Sequence, residues 1–290
     1  MKKPLRFSLP AMPAVLLAIV SMEGGAAVAK GLFPVLGPAG TVSLRIGFSA
    51  LLMLALIRPP LRQLQGAQWR AVIPFGLALG MMNFMFYSAM ARLPLGLAVA
   101  VGFVGPLGLA LAGSRQWLDV VWVALAGVGI ALIVPWSGQG PDVLGLVFAL
   151  AGGACWALYI VLGQRSATVL PGHQAVAVGL LIAALLILPF GLASGRFQAL
   201  TPHLLSLGVL TALFSSMLPF SLEMRALRSM PTRTFSILMS LEPVVAALLG
   251  WLVLHEHLSL GQWVAVACIV VASAGATLTA RRPVPIVSGD

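Results

Sequence analysis

LPLGLAVAVGFVGPL, residues 93–107, returns in altered form as MPTRTFSILMSLEPV, residues 230–244. Aligned without a gap, Pro94 falls on Pro231 and Pro106 on Pro243. Each of these prolines lacks a backbone N–H and so marks a place where a helix must adjust. The correspondence spreads outward in order. GGAAVA at 24–29 matches GGACWA at 152–157, and Trp122 matches Trp263 after a small loop insertion. Two halves of one chain are therefore versions of the same unit, with dividing positions near 138 and 139.

The composition sets the medium in which those halves fold. The 290 residues are 60% hydrophobic and 8% charged, and the mean hydropathy is +1.05. A water-soluble domain carries about 25% charged residues, so the chain reads as a polytopic membrane protein with no separate soluble domain. A bilayer core takes about 20 residues of helix. By that ruler ten spans are expected, at 11–34, 38–58, 69–90, 94–113, 117–135, 142–162, 170–193, 202–226, 231–254 and 259–280. The apolar runs are continuous rather than alternating, which excludes a transmembrane barrel. MKKPLR followed by an apolar run imitates a secretory signal. Glu23 interrupts that run, which is also longer than a signal needs, so it is assigned as a retained first span.

Basic residues set the orientation. With the N-terminus inside, thirteen Lys and Arg residues fall in cytoplasmic gaps, and only Arg92 and Arg196 fall on the other side. Both termini are then cytoplasmic. The formal charge of +10 is spread over short gaps between apolar segments, where topology and membrane lipid account for it, and nucleic acid is excluded as a partner. Five spans per half is an odd number, so the second half sits upside down relative to the first. The expected fold is an all-α integral membrane protein of ten transmembrane helices, an inverted 5+5 repeat. The repeats span 1–138 and 139–282, followed by a cytoplasmic tail at 283–290. Repeats of this kind build transporters whose substrate site lies near the midplane between the halves. A complete inverted pair in one chain removes the need to dimerise, so a monomer suffices.

Few residues in the spans are polar, and each needs a reason to be there. Glu23 and Glu242 sit near the middle of spans 1 and 9. A charge at mid-bilayer costs about 2.5–3.5 kcal/mol on insertion scales, so both carboxylates should face a cavity or a partner. Pro243 frees the carbonyl of Met239, and Pro106 that of Gly102. Arg45 lies in the outer half of span 2, and Lys30 is seven residues beyond Glu23 on the same face. Lys30 either holds a carboxylate or neutralises Glu23 and snorkels outward. Asn83 and Tyr87 share a face of span 3, as Ser236 and Ser240 do on span 9. Trp156 and Tyr159 are either pocket lining or packing aromatics. Glu223 and Arg225, near the cytoplasmic end of span 8, are rim or gate candidates, as is Lys30.

Other signals carry less. HEHLS at 255–259 lacks the His-Glu-x-x-His spacing of zinc proteases and reads as an outer turn. Cys155 and Cys268 lie inside apolar segments and form no metal or disulfide pattern. No phosphate loop, nucleotide fingerprint or nucleophile elbow occurs. Neither a cofactor, a metal nor a catalytic dyad is expected, and an ATP-driven pump or membrane enzyme loses ground accordingly.

The run LEPVVAALLGWLVLHEHLSLGQWVAVACIVVA at 241–272, with the ten spans and the inverted repeat, resembles the drug/metabolite transporter superfamily, EamA type. His255-Glu256 stands where Gly-Glu is usual in that pattern. Residues 22–62, 80–107 and 218–248 further resemble the threonine/homoserine-exporter branch. The resemblance implies export of small polar amino acids from a bacterial cytoplasm across the inner membrane, with a pocket among spans 1, 3, 4, 6, 8 and 9. A zwitterion needs an anionic site for its ammonium, from Glu23 or Glu242, and a cationic site for its carboxylate, from Arg45 or Lys30. Asn83, Tyr87 and Ser240 complete the expected substrate set. A carboxylate that holds either a proton or an ammonium, one at a time, is the simplest chemistry for exchange with protons. Met81, Met82, Phe84 and Phe86 would suit a broader carrier of aromatic amino acids, purines or organic cations.

Overall fold

The computed structural model describes residues 10–112, 117–133, 142–219, 222, 226, 230 and 232–279, and all regular structure among them is helical. In chain order the helices are α1 (Ala11–Gly31), α2 (Phe33–Ile57), α3 (Gly66–Met90), α4 (Leu95–Ala112) and α5 (Trp117–Ile133). They continue with α6 (Val143–Val169), α7 (Gly172–Ala193), α8 (Pro202–Ala212), α9 (Thr232–Met239), α10 (Glu242–Leu254) and α11 (Leu260–Thr279). Seven stretches are long and apolar enough to cross a bilayer, one of them being Thr234–Leu254 across the α9–α10 junction. Three shorter apolar helices lie at Leu95–Leu109, Trp117–Leu132 and Pro202–Met217. The protein is an all-helical membrane protein, with exposed apolar side chains such as Val120, Trp251 and Leu260 suited to contact with lipid.

Local signals start and stop the helices. Asp142 caps α6 by accepting from the Leu144 N–H at 2.9 Å. Thr201 caps α8 in the same way through Leu204, with Pro202 in the first turn, where a missing N–H costs nothing. Gln65 and Gln68 form a reciprocal capping box at the start of α3. Just ahead of α6, the Asp142 carboxyl is held below its ordinary range by its hydrogen bond from Arg92, and secondarily by the Leu144 N–H.

The aligned prolines Pro106 and Pro243 behave differently. Pro106 is absorbed inside an unbroken α4, and the Gly102 carbonyl it leaves lies against Gly153 of α6. Pro243 coincides with a real interruption. The chain turns at Ser240–Leu241, where the Ser240 N–H bonds back to Ser236 and Ile237, and α10 restarts at Glu242. Span 2 also departs from expectation. Its helix begins at Phe33 and passes through a kink at Gly37, where φ is 68° ahead of Pro38.

α4 is the buried axis of the bundle. Leu95, Leu97, Ala98, Ala100 and Val101 are all fully or almost fully buried, and the helix packs on α6, α10 and α11. Its contact with α6 is backbone against backbone: a Cβ on Gly105 would overlap the carbonyl of Gly153, and one on Gly153 the carbonyl of Gly102. Small residues permit this approach, which is how membrane helices gain packing where no hydrophobic effect drives them together. α3 packs on α6 and α7, α2 on α7, and α5 on α11.

Candidate functional site

Packing of α1, α2, α3, α4, α6, α7, α9, α10 and the segment that follows α8 leaves a cavity of about 280 Å³. Its walls are mostly apolar, from Met22, Met53, Leu79, Met82, Phe86, Val99, Trp156 and Leu180 among others. Among the described residues, the charged groups that line it are Glu23, Arg45 and Glu242. An aqueous or polar ligand is the ordinary reason for membrane helices to keep such groups around a shared void.

Arg45 is the best-anchored of these. One terminal nitrogen donates to Asn83 Oδ1 and to Tyr87 Oη, each at 3.1 Å. The other donates to the Ser215 carbonyl at 3.5 Å. The guanidinium also stands 5.4 Å from the centre of the Tyr87 ring, within cation–π range. Asn83 is itself oriented, since its amide nitrogen donates to the Leu79 carbonyl at 2.8 Å and leaves the oxygen for Arg45. The spacing of Asn83 and Tyr87 along α3 puts both on one side of the guanidinium. The remaining Arg45 donor, Nε, is buried and has no hydrogen-bond partner among the described residues.

Glu23 is 3% exposed and Glu242 is 1% exposed. Glu23 Oε2 also lacks a hydrogen-bond partner among the described residues. Glu242 opens α10, with Pro243 beside it, so the helix dipole there favours its negative charge.

The other expected site residues are placed as follows. Tyr87 is fully buried and reaches the site through Arg45 rather than through the cavity wall. Ser240 is not part of the cavity lining; its hydroxyl donates to the Ser236 carbonyl at 3.1 Å and pairs with Ser273 at 3.1 Å, which ties the α9–α10 turn to α11. Lys30 does not neutralise Glu23. It pairs with Glu256 at 2.6 Å and donates to the Leu93 carbonyl at 2.6 Å. Glu256 in turn accepts from the Leu95 N–H at 2.7 Å, so one carboxylate joins α1, the start of α4 and the HEHLS turn. Trp156 and Tyr159 line the cavity, with Trp156 edge-on to Phe103 at 5.2 Å and Tyr159 stacked on Phe75 at 5.1 Å. Met82 and Phe86 line it as well, whereas Phe84 packs on Phe190. Glu223 and Arg225 lie outside the described residues.

Sequence reasoning passed over Ser215 and Ser216, which line the cavity from a π turn at Leu213–Met217 that follows α8. The signal was present as two adjacent serines in an otherwise apolar run. It also passed over Glu256 as the partner of Lys30.

Comparison with known proteins agrees with this architecture. Residues 143–278 match the EamA-like transporter family. The chain is similar to the threonine/homoserine exporter RhtA of Escherichia coli (strain K12), with 42% identity over 271 residues, covering 92% of this chain and 91% of that protein. The same identity and coverage hold for the threonine/homoserine exporter RhtA of Salmonella typhimurium (strain SL1344). An uncharacterized transporter of Bacillus subtilis (strain 168), YwfM, is 28% identical over 80% of each chain. A solved crystal structure at 20% identity superposes with a TM-score of 0.59, covering 93% of this chain and 97% of that one, and shows the fold alone. On the strength of the 42% identity across 92% of its length, the chain belongs to the EamA-type transporters of the drug/metabolite transporter superfamily.

Proposed function

We propose that the protein exports small amino acids of the threonine/homoserine kind from a bacterial cytoplasm, across the inner membrane, by alternating access around the Arg45 cavity. The observation that carries this reading is the guanidinium itself. Asn83, Tyr87 and the Ser215 carbonyl hold it at the wall of a cavity that two buried carboxylates also line. A fixed guanidinium binds a carboxylate with a geometry that a lysine cannot reproduce. Glu23, whose Oε2 is unsatisfied among the described residues, takes the ammonium group. Glu242, beside the break at Ser240–Leu241, exchanges a proton against substrate as the α9–α10 junction moves. The kinship with exporters named for threonine and homoserine supports the substrate class.

Alternating access requires two related halves, and the proposed architecture is ten spans in an inverted 5+5 repeat, residues 1–138 and 139–282, with both termini cytoplasmic. The neighbour pattern supports it. α3 lies on α6 as α8 lies on α1; α4 lies on α6 as α9 and α10 lie on α1; α3 lies on α7 as α8 lies on α2. A two-fold axis that exchanges the halves produces such reciprocal pairs. One chain then carries the whole cavity, and a monomer suffices.

A second reading, a carrier of wider range, is favoured by the apolar lining of Met22, Met53, Met82, Met239, Phe86 and Trp156. Counterflow separates the two. Proteoliposomes preloaded with unlabelled threonine are expected to take up labelled threonine faster than protein-free vesicles, with the solute chemically unchanged, and homoserine should compete. Counterflow driven by phenylalanine or purines as well as by threonine would establish the wider carrier, and equality with protein-free vesicles for every solute would remove both.

A further inference from the structure

We propose that Ser215 touches the substrate: its hydroxyl donates to the same carboxylate that Arg45 holds. The inference rests on the proposed amino-acid site and extends it to a residue outside the expected set.

The π turn at Leu213–Met217 is the starting point. Such turns insert a residue into a helix, turn its side chains to new directions and leave carbonyls poorly bonded within the helix, and they concentrate at functional sites. Here the neighbouring helices use those carbonyls. Ser21 of α1 donates to the Phe214 carbonyl at 2.7 Å, and Arg45 of α2 donates to that of Ser215. Ser49 of α2 bonds the Ser216 hydroxyl at 3.0 Å. The turn is thus fastened on both sides, and Ser215 is presented between them.

The Ser215 side chain is 5% exposed, lines the cavity, and has no hydrogen-bond partner among the described residues. That is unusual for a hydroxyl on a membrane helix, which ordinarily bonds back to a carbonyl one turn earlier. Thr41, Ser88, Ser166, Ser240 and Thr277 of this chain all do so. Ser215 forgoes the bond and points instead across Gly25, where a Cβ would overlap its oxygen. The absence of a side chain on α1 at that point is what lets the hydroxyl reach its position.

Three buried polar atoms around one cavity therefore lack partners among the described residues: Arg45 Nε, Ser215 Oγ and Glu23 Oε2. Two are donors and one is an acceptor. The adjacent guanidinium and hydroxyl suit the two oxygens of a carboxylate, and the remaining carboxylate oxygen suits an ammonium. Together they complement a zwitterion, and the Ser215 carbonyl already bonded to Arg45 fixes the two donors to one end of it.

The test uses the full chain in proteoliposomes. Ser215→Ala should raise the threonine concentration for half-maximal counterflow by about tenfold or more, the effect of deleting one hydrogen bond to a charged group, with the maximal rate within about twofold. As a second readout, Ser215→Cys is made with Cys155→Ser and Cys268→Ser, and its thiol is labelled with a thiosulfonate. Threonine should slow the labelling, and threoninol, which lacks the carboxylate, should not. An unchanged half-maximal concentration in Ser215→Ala overturns the inference, as does labelling that threonine leaves unaffected or that threoninol slows equally. Wild-type vesicles without amino-acid counterflow would remove the proposed function and this inference with it; active wild type with an indifferent Ser215 removes the inference alone.

Discussion

Arg45→Gln is expected to lower threonine counterflow at low substrate concentration by about a hundredfold, a little under 3 kcal/mol at 1.4 kcal/mol per decade. Glutamine keeps some hydrogen bonding but loses the positive charge, and bonds to a charged group are worth about 1.5–3 kcal/mol each. The loss is compounded because Arg45 organises the wall around it through Asn83, Tyr87 and Ser215. Removal also deprives Asn83 Oδ1 and the buried Tyr87 hydroxyl of their shared donor, so some loss of folded protein is expected. Transport must therefore be normalised to the amount of protein in the vesicles. Arg45→Lys should recover little, since an ammonium cannot bond Asn83, Tyr87 and the π turn together and still face a carboxylate. Transport by Arg45→Gln at the wild-type rate per molecule would return Arg45 to a purely structural role.

Glu242→Gln should fold and insert, because size and hydrogen-bonding capacity are kept, yet counterflow should fall by about tenfold or more, the scale of a lost interaction with a charged group. Its dependence on pH should flatten. The position of the residue explains this: it is 1% exposed, on the cavity wall, and the first residue of the helix that follows the turn at Ser240–Leu241. A proton or an ammonium bound there changes the charge at the joint between α9 and α10. Glu23→Gln should weaken threonine binding by removing the charge proposed to take the ammonium. Normal export by Glu242→Gln at every pH would make Glu242 a helix-packing residue, and proton exchange would lose its carrier.

How much of this was legible in the sequence depends on whether the determining contact was local. The membrane class and the all-helical build follow from long continuous apolar runs, which depend only on the chain itself. The i,i+4 relation of Asn83 and Tyr87 is equally local, and it puts both on one guanidinium, that of Arg45. What the two prolines do was not legible. Pro106 sits in a helix clamped by α6, α10 and α11, whereas Pro243 follows a turn tied to α11 through Ser240 and Ser273. Packing, not the proline, decides between absorption and interruption. The same holds for Lys30, whose partner Glu256 lies almost at the other end of the chain. Ser215 was hidden for a related reason, since a π turn arises from how neighbouring helices pull on the backbone and leaves little trace in composition.

The central claim is that the cavity recognises both charged ends of an amino acid. Calorimetric titration of the purified protein with threonine, with threoninol and with 2,3-dihydroxybutanoate, which lacks the amino group, tests it most directly. The account predicts that threonine binds, and that each analogue binds about tenfold or more weakly, because each leaves one buried charge of the site without its counterpart. Equal binding of all three compounds, or binding of either analogue as tight as that of threonine, would contradict it.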